Sequence, residues 1–201
     1  MSPKSTPKKD ALRAKLLEVA EAEIENGGIV ALRARDLANE AGCALGAIYT
    51  VFGDLGEIAI EINRRTMLQI ADHLRGSIEG MENEDPGDMI ITLAQAYRSY
   101  AEDQPQRWRT LFSIGLPPAD SAEGFYDALA PITNLFAEQL DRLTRLSTTS
   151  ERNRNARAIF SCVHGMISLG EEPRLSAMDP RDLDRMISRV VGTLCDKDQK
   201  L

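Results

Sequence analysis

Apolar residues recur at intervals of three and four along most of this chain, the period of an α-helix and not the alternation of a strand. Leu12, Leu16, Val19, Ala20 and Ile24 form the first such stripe, behind Thr6-Pro7, where proline suits the first helical position. "ENGGIV" ends it, with Gly27 or Gly28 as the expected left-handed cap. Asp54-x-x-Glu57 reads as a capping box and opens a long helix to about Met81. Asp85-Pro86 opens another, to about Asp103, and a short helix carrying Trp108, Leu111 and Phe112 follows Pro105. Asp120-x-x-Glu123 opens one ending near Leu146, and Thr148-x-x-Glu151 one reaching Gly170. Asp179-Pro180 opens the last, which ends near Cys195. "GGIVAL" is the one β-like run, and it is too short to make a sheet.

Residues 35–54, "RDLANEAGCALGAIYTVFGD", hold two further short helices, expected over 34–41 and 45–51. Leu37 and Ala38 form the buried side of the first, where a small alanine lets a second helix cross closely. Gly42 sits in the turn, where a left-handed backbone costs glycine little. Cys43 turns inward as a small hydrophobe, and Ile48 and Val51 anchor the second helix. Small, turn glycine, apolar, apolar is the pattern of a helix-turn-helix, whose second helix enters the DNA major groove. The total is nine helices and an all-α fold.

Composition changes this picture little. The chain has 201 residues, 43% of them hydrophobic, enough for one ordinary domain or two small ones. No apolar run approaches the ~20 residues of a membrane span, and the start lacks the apolar stretch of a secretory signal. Cys43, Cys162 and Cys195 are scattered and odd in number, which fits reduced thiols and a cytoplasmic setting. Net charge is −7, yet Lys4, Lys8, Lys9, Arg13 and Lys15 stand against Asp10 alone near the start, a local +4. Arg33 and Arg35 add a second basic cluster. Charge distribution outweighs the sum when a nucleic-acid partner is in question.

Residues 13–62 resemble the DNA-binding domain of TetR-type transcriptional regulators, through "RDLANEAGCALGAIYTVFGDLGEI" and the aromatic pair Tyr49 and Phe52. The resemblance implies a flexible basic arm (1–9), a helix-turn-helix domain (10–54) and a helical effector-binding and dimerisation domain (55–201). It also implies a ligand-responsive regulator, a repressor released from its operator by a small molecule. Three positions depart from the family. Arg33 replaces a hydroxyl residue and can meet phosphate by charge. Leu55 replaces a phosphate-contacting lysine, leaving the backbone N–H groups and dipole of the fourth helix. Val51 replaces a residue that is often polar. The expected DNA contacts are Lys8, Lys9, Arg33, Arg35, Ala44, Leu45, Gly46, Ala47, Tyr49 and Thr50. Small side chains there point to methyl contacts and close backbone approach. Tyr49 would place its ring on the core and its hydroxyl on a phosphate.

Tyr97, Tyr100, Trp108, Phe112 and Phe125 gather aromatic surface in the middle of the chain. Such a cluster serves a core, and in a regulator of this kind it would also line an effector site for an apolar or planar molecule. "RAIFSCVHGMISLGEE" resembles the Trp-His-Gly helix of one TetR subclass, with Val163 in place of tryptophan. That puts His164 and Gly165 at a helix crossing, with His164 as a core polar group or a ligand contact near Trp108. Cys162 and His164 do not make a catalytic pair, because i and i+2 leave a helix on different faces. No enzyme activity, cofactor or metal is expected. Leu183, Met186, Ile187, Val190, Val191 and Leu194 form a wide stripe on the last helix. With Ile159, Val163 and Ile167 it serves either one subunit's core or half of a four-helix dimer interface. A homodimer is expected, since paired half-sites need two recognition helices.

Overall fold

A computed structural model describes residues 7–113, 119–143, 148–172 and 178–195, without the side chains of 119–126 and 128. Among the described residues there are nine α-helices and no strand. They are α1 Pro7–Gly27, α2 Ala34–Ala41, α3 Leu45–Val51, α4 Leu55–Ser77, α5 Pro86–Asp103, α6 Pro105–Ser113, α7 Ala119–Leu143, α8 Thr149–Gly170 and α9 Pro180–Cys195, with a 3-10 turn at Ile29–Ala31. None is long and apolar enough to cross a membrane.

The boundaries follow local chemistry. Thr148 caps α8 with a complete capping box, its hydroxyl accepting from Glu151 N while the Glu151 carboxylate accepts from Thr148 N. At α4, Asp54 Oδ1 accepts from Glu57 N at 2.9 Å, but Glu57 reaches back to Gly53 N, one residue before the expected partner. That helix stops at Ser77, short of Met81, and the chain turns through Gly80 at φ +82°. α7 already begins at Ala119, so Asp120 lies inside it; the stretch to Leu146, where its end was expected, lies outside the described residues.

The chain divides into two compact units, and the division differs from the expected boundary at residue 54. One unit comprises Met1–Met67 and Asp103–Ala128, the other Leu68–Glu102 and Leu129–Leu201. The short helix α6 therefore belongs with the N-terminal helices. Its Arg107 is buried and donates to Glu25 at 2.6 Å, Glu21 at 3.4 Å and Thr66 Oγ1 at 3.4 Å. Asn63 of α4 donates to the Thr110 carbonyl at 3.3 Å. A buried guanidinium needs such partners, so α6 holds to α1 and the early part of α4. The core of this unit runs through Leu16, Ala20, Ile24, Leu37, Ile48 and Ile58.

The second unit is built around Tyr97 and Phe136, both fully buried, with Phe160 edge-on to Tyr97 at 5.0 Å between ring centroids. Arg98 joins α5 to α9 through Asp184 at 2.8 Å, and Gln95 donates to Ser188 Oγ at 2.9 Å. α8 and α9 approach closely at Gly170, where an added Cβ would lie 2.9 Å from Leu183 Cδ1. Among the described residues nothing lies within 4 Å of a Cβ added at Gly165.

This packing corrects most of the expected dimer interface. Ile159, Val163, Ile167, Leu183, Ile187 and Val191 are each at most 2% exposed in the single chain. Side chains already buried in their own subunit offer no area to a second copy. Met186, Val190 and Leu194 remain half-buried, four residues apart along α9.

Candidate nucleic-acid interface

The helix-turn-helix begins with the end of α2. Gly42 adopts φ +67°, ψ 37°. Its N–H bonds the Asn39 carbonyl at 3.2 Å, and Cys43 N–H bonds the Ala38 carbonyl at 2.9 Å. This pair is the Schellman motif, which satisfies the last carbonyls of α2 and turns the chain back. An L side chain strains in that backbone conformation, so glycine is required. Ala38 is buried beneath the turn, and Cys43 packs against the same cluster.

α3 then presents two faces. Ile48 is fully buried and Val51 packs partly against the core, while Phe52 just beyond is buried. Ala44, Leu45, Gly46, Tyr49 and Thr50 are exposed, and Ala47 is half-buried. Tyr49 is 51% exposed, which corrects the expectation that its ring lies in the core: as the neighbour of Ile48 it points away from the face Ile48 buries. Phe52 takes the core position instead, with the Arg13 guanidinium over its ring at 5.1 Å. Thr50 Oγ1 donates to the Gly46 carbonyl at 3.1 Å, so its proton is engaged while its lone pairs and methyl group face outward. No Cβ clash would arise at Gly46, whose surroundings are open.

Arg33 and Arg35 flank this surface. Arg33 is the extended residue before α2, at φ −123°, ψ 130°, and both arginines are exposed. Lys8 and Lys9 are exposed in the first turn of α1, so the helix begins inside the expected arm of 1–9; residues 1–6 lie outside the described residues. Among the described residues, none of these four cations has a carboxylate within ion-pair distance. Arg13, Arg64 and Arg65, by contrast, are held by Glu61 and Glu21. Burial alone would raise Glu61, but the hydrogen bond and charge of Arg64, with Arg13 and Arg65, hold it below the usual carboxylate range.

The start of α4 behaves differently from what its sequence suggested. Its free backbone donors were the expected substitute for a lysine at position 55. Two N–H groups there, of Gly53 and Glu57, are occupied by the carboxylates of Glu57 and Asp54, and Leu55 packs on the core. That helix end carries negative charge and is a poor phosphate site.

The expected effector residues fall in both units. Trp108 and Phe112 pair edge-on within α6, in the first unit, at 6.2 Å between centroids. Trp108 is buried, and Phe112 is 47% exposed. Tyr97, Tyr100 and His164 belong to the second unit. There Tyr97 Oη and His164 Nδ1 are hydrogen-bonded at 3.1 Å, and Tyr100 Oη donates to Gln69 at 3.2 Å. Burial pushes His164 below its usual pKa, favouring the neutral ring. The Phe125 side chain lies outside the described residues. None of the five described ones lines the groove of about 690 Å³ that opens where α4 ends, α5 begins and α7 ends. Its lining residues come from three distant sequence segments, and no local motif announces them.

A turn-glycine helix pair with an apolar inner face, an exposed outer face and exposed cations at its start defines a helix-turn-helix of the DNA-binding class. Residues 90–194, just over half of the chain, match the sequence profile of the tetracyclin repressor-like C-terminal domain. The chain belongs to the TetR family. It is 23% identical over 134 residues to the HTH-type transcriptional regulator Rv1816 of Mycobacterium tuberculosis, a match covering 61% of this chain and 57% of that protein's length. The fold is similar to that of a protein of unknown function from Rhodococcus sp. RHA1, with a TM-score of 0.72, 21% identity and 97% of each chain covered. It is also similar to FadR of Bacillus subtilis in complex with stearoyl-CoA, with a TM-score of 0.64, 15% identity, and 93% and 99% of the two chains covered.

Proposed function

We propose that this protein is a cytoplasmic, homodimeric, ligand-responsive transcriptional repressor that reads its operator through α3. The observation that carries this reading is the exposed face of α3, fixed on Ile48, together with four exposed cations on α1 and at the start of α2 that have no carboxylate partner among the described residues. Small side chains let the backbone near Gly46 approach the bases, while Arg33, Arg35, Lys8 and Lys9 meet phosphates. The acidic start of α4 adds nothing to that attraction, so phosphate binding rests on α1 and α2.

Two copies would place their recognition helices about 34–36 Å apart, one DNA turn. The surface left for the second copy is the half-buried stripe Met186, Val190 and Leu194, with Gly165 open on α8. The complex of Bacillus subtilis FadR with stearoyl-CoA supports a small-molecule effector for this chain. An effector acts only through unequal affinity for the DNA-competent and released states.

Footprinting on the intergenic DNA beside the gene tests this reading, with the salt dependence of binding measured on the protected site. A protected, two-fold symmetric site whose affinity falls steeply with salt is expected. Absence of protection at low salt overturns it.

A further inference from the structure

The groove in the second unit has a donor and acceptor inventory that selects a ligand. Arg142 lines it, but Nη1 donates to Gln139 Oε1 at 2.7 Å and to Met89 Sδ at 2.8 Å, and Nη2 to the carbonyls of Glu82 at 2.9 Å and Glu84 at 3.2 Å. Arg75 is held by Asp72 at 2.6 Å. Arg142 is therefore engaged through both terminal nitrogens, whereas the exposed Arg75 donates to Asp72 from Nη1 alone. Of the three carboxylates of the groove, Asp72 is held by Arg75, while Glu79 and Glu82 are more open. Glu79 has no side-chain partner among the described residues, and Glu82 accepts a single bond, from Gly80 N–H at 3.3 Å. Glu79 and Glu82 leave the lining with a net charge of −1, set by three carboxylates against two guanidinium groups.

A second feature is independent of that charge. Gln139 is only 5% exposed and lines the groove. Arg142 bonds its oxygen, which fixes the amide orientation and leaves Nε2 as the free donor. Among the described residues no acceptor bonds Nε2. That N–H is on the wall of a cavity large enough for a small molecule, where it can meet an acceptor on a ligand. Ile78 and Met89 supply apolar wall beside it.

We propose that this groove binds a protonated amine with an apolar body and one hydrogen-bond acceptor. The ammonium donates to Glu79 and Glu82, the acceptor takes the Gln139 N–H, and the apolar part lies on Ile78 and Met89. A carboxylate or phosphate ligand is disfavoured, because it meets two open carboxylates in a lining of net negative charge. Asp72, Arg75 and Gly76 bring the last turns of α4 to the groove, and α4 starts three residues after α3. As a statement about the effector, the proposal deepens the regulatory reading and rests on it; as a statement about binding, it does not.

The test uses the full chain without DNA and two dansyl probes of equal tether length, dansylcadaverine and dansyl-6-aminohexanoate, read by dansyl emission. Dansylcadaverine should bind with blue-shifted, enhanced emission, about tenfold or more tighter than the carboxylate probe. The double variant Glu79→Gln, Glu82→Gln should lose about tenfold in its affinity. Gly76→Leu should block it, since a Cβ at Gly76 meets nothing within 4 Å and the helix is kept. Circular dichroism checks that both variants fold. Equal binding of the two probes, undiminished binding by both folded variants, or no emission change at millimolar dansylcadaverine each overturns the proposal. The second arm asks whether dansylcadaverine lowers operator affinity. Binding without that effect refutes the effector role and leaves the amine site standing, whereas failure to protect any DNA removes the regulatory reading alone.

Discussion

The α2–α3 pair and the α8–α9 pair are both helix pairs with clear apolar stripes, yet they divide their residues in opposite ways. In α2–α3 the stripe is narrow: Leu37, Ala38 and Ile48 go inward, and small or polar residues face out. In α8–α9 the stripe is wide, and most of it is consumed by the subunit itself. Val163, Ile167, Ile187 and Val191 are fully buried, which leaves only Met186, Val190 and Leu194 partly open on α9. Amphipathic spacing shows which positions avoid water. It does not show whether the covering surface comes from the same chain or from another.

The sharpest way to break that comparison is a pair of aspartates placed one residue apart. Val191→Asp buries a charge in a packed core and should cost several times the ~1 kcal/mol of an ordinary substitution, abolishing cooperative thermal unfolding of the second unit. Val190→Asp, at a half-buried position, should leave the helix content intact and give a folded monomer that no longer binds operator. Circular dichroism and sedimentation separate the two outcomes. A folded but monomeric Val191→Asp protein would restore that residue to the interface.

The next effect is on DNA. Arg33→Ala and Arg35→Ala should each weaken binding to operator and to unrelated DNA alike. Each should also reduce the log–log salt slope by about 0.9, the share of one phosphate contact. Thr50→Val keeps the methyl group and removes the hydroxyl, so it should alter base preference more than the salt slope. Binding titrations at several salt concentrations distinguish these. An unchanged slope for both arginine variants would place the phosphate contacts elsewhere.

Much of the fold could be read ahead because its boundaries are local. Thr148 and Glu151, Asp85-Pro86 and Asp179-Pro180 each act within a few residues, and helices begin where they predict. The α2–α3 turn was legible for the same reason, since Gly42, Ala38 and Cys43 are near neighbours in sequence. What escaped depends on distance. The attachment of α6 to α1 rests on Arg107 meeting Glu21 and Glu25, more than eighty residues away in the chain. The closed α4 terminus depends on which N–H Glu57 chooses, which a capping-box pattern does not specify. Gln139 and Glu79 share a groove without sharing a motif.

Glycine to alanine gives a smaller contrast of opposite sign. At Gly42 the left-handed backbone makes alanine unfavourable by about 1–2 kcal/mol, although space is open. At Gly165 the helix interior favours alanine by up to about 1 kcal/mol, and again nothing in the chain is close. Denaturant melts should therefore show Gly42→Ala destabilised and Gly165→Ala stabilised as a monomer. If a second copy packs against Gly165, the same substitution weakens dimerisation, seen as a raised dissociation constant. Stabilisation with unchanged association would move the dimer contact off that part of α8.

The smallest expected effect is the pH dependence, and it again sets one unit against the other. Burial lowers His164 from its ordinary 6.5, so the folded state holds its proton less tightly than the unfolded state. Stability from the neutral ring is then full above about 6.5 and is lost as pH falls below that value, until the folded group also protonates. Glu61 behaves as an acid with a lowered pKa, the arginine contributions outweighing burial. Its contribution is full above its ordinary 4.5 and is lost only as pH falls through the lower folded value. Mild acid should thus loosen the unit containing His164 first, while the Glu61 network in the helix-turn-helix unit persists into stronger acid. Hydrogen exchange between pH 7 and 5 reads the two units separately. His164→Gln should flatten the decline in its own unit across this window, and Glu61→Gln should leave the decline there unchanged. A helix-turn-helix unit that loosens first, or a His164→Gln protein with the parent's slope, would show that the Tyr97–His164 pair does not set the acid response.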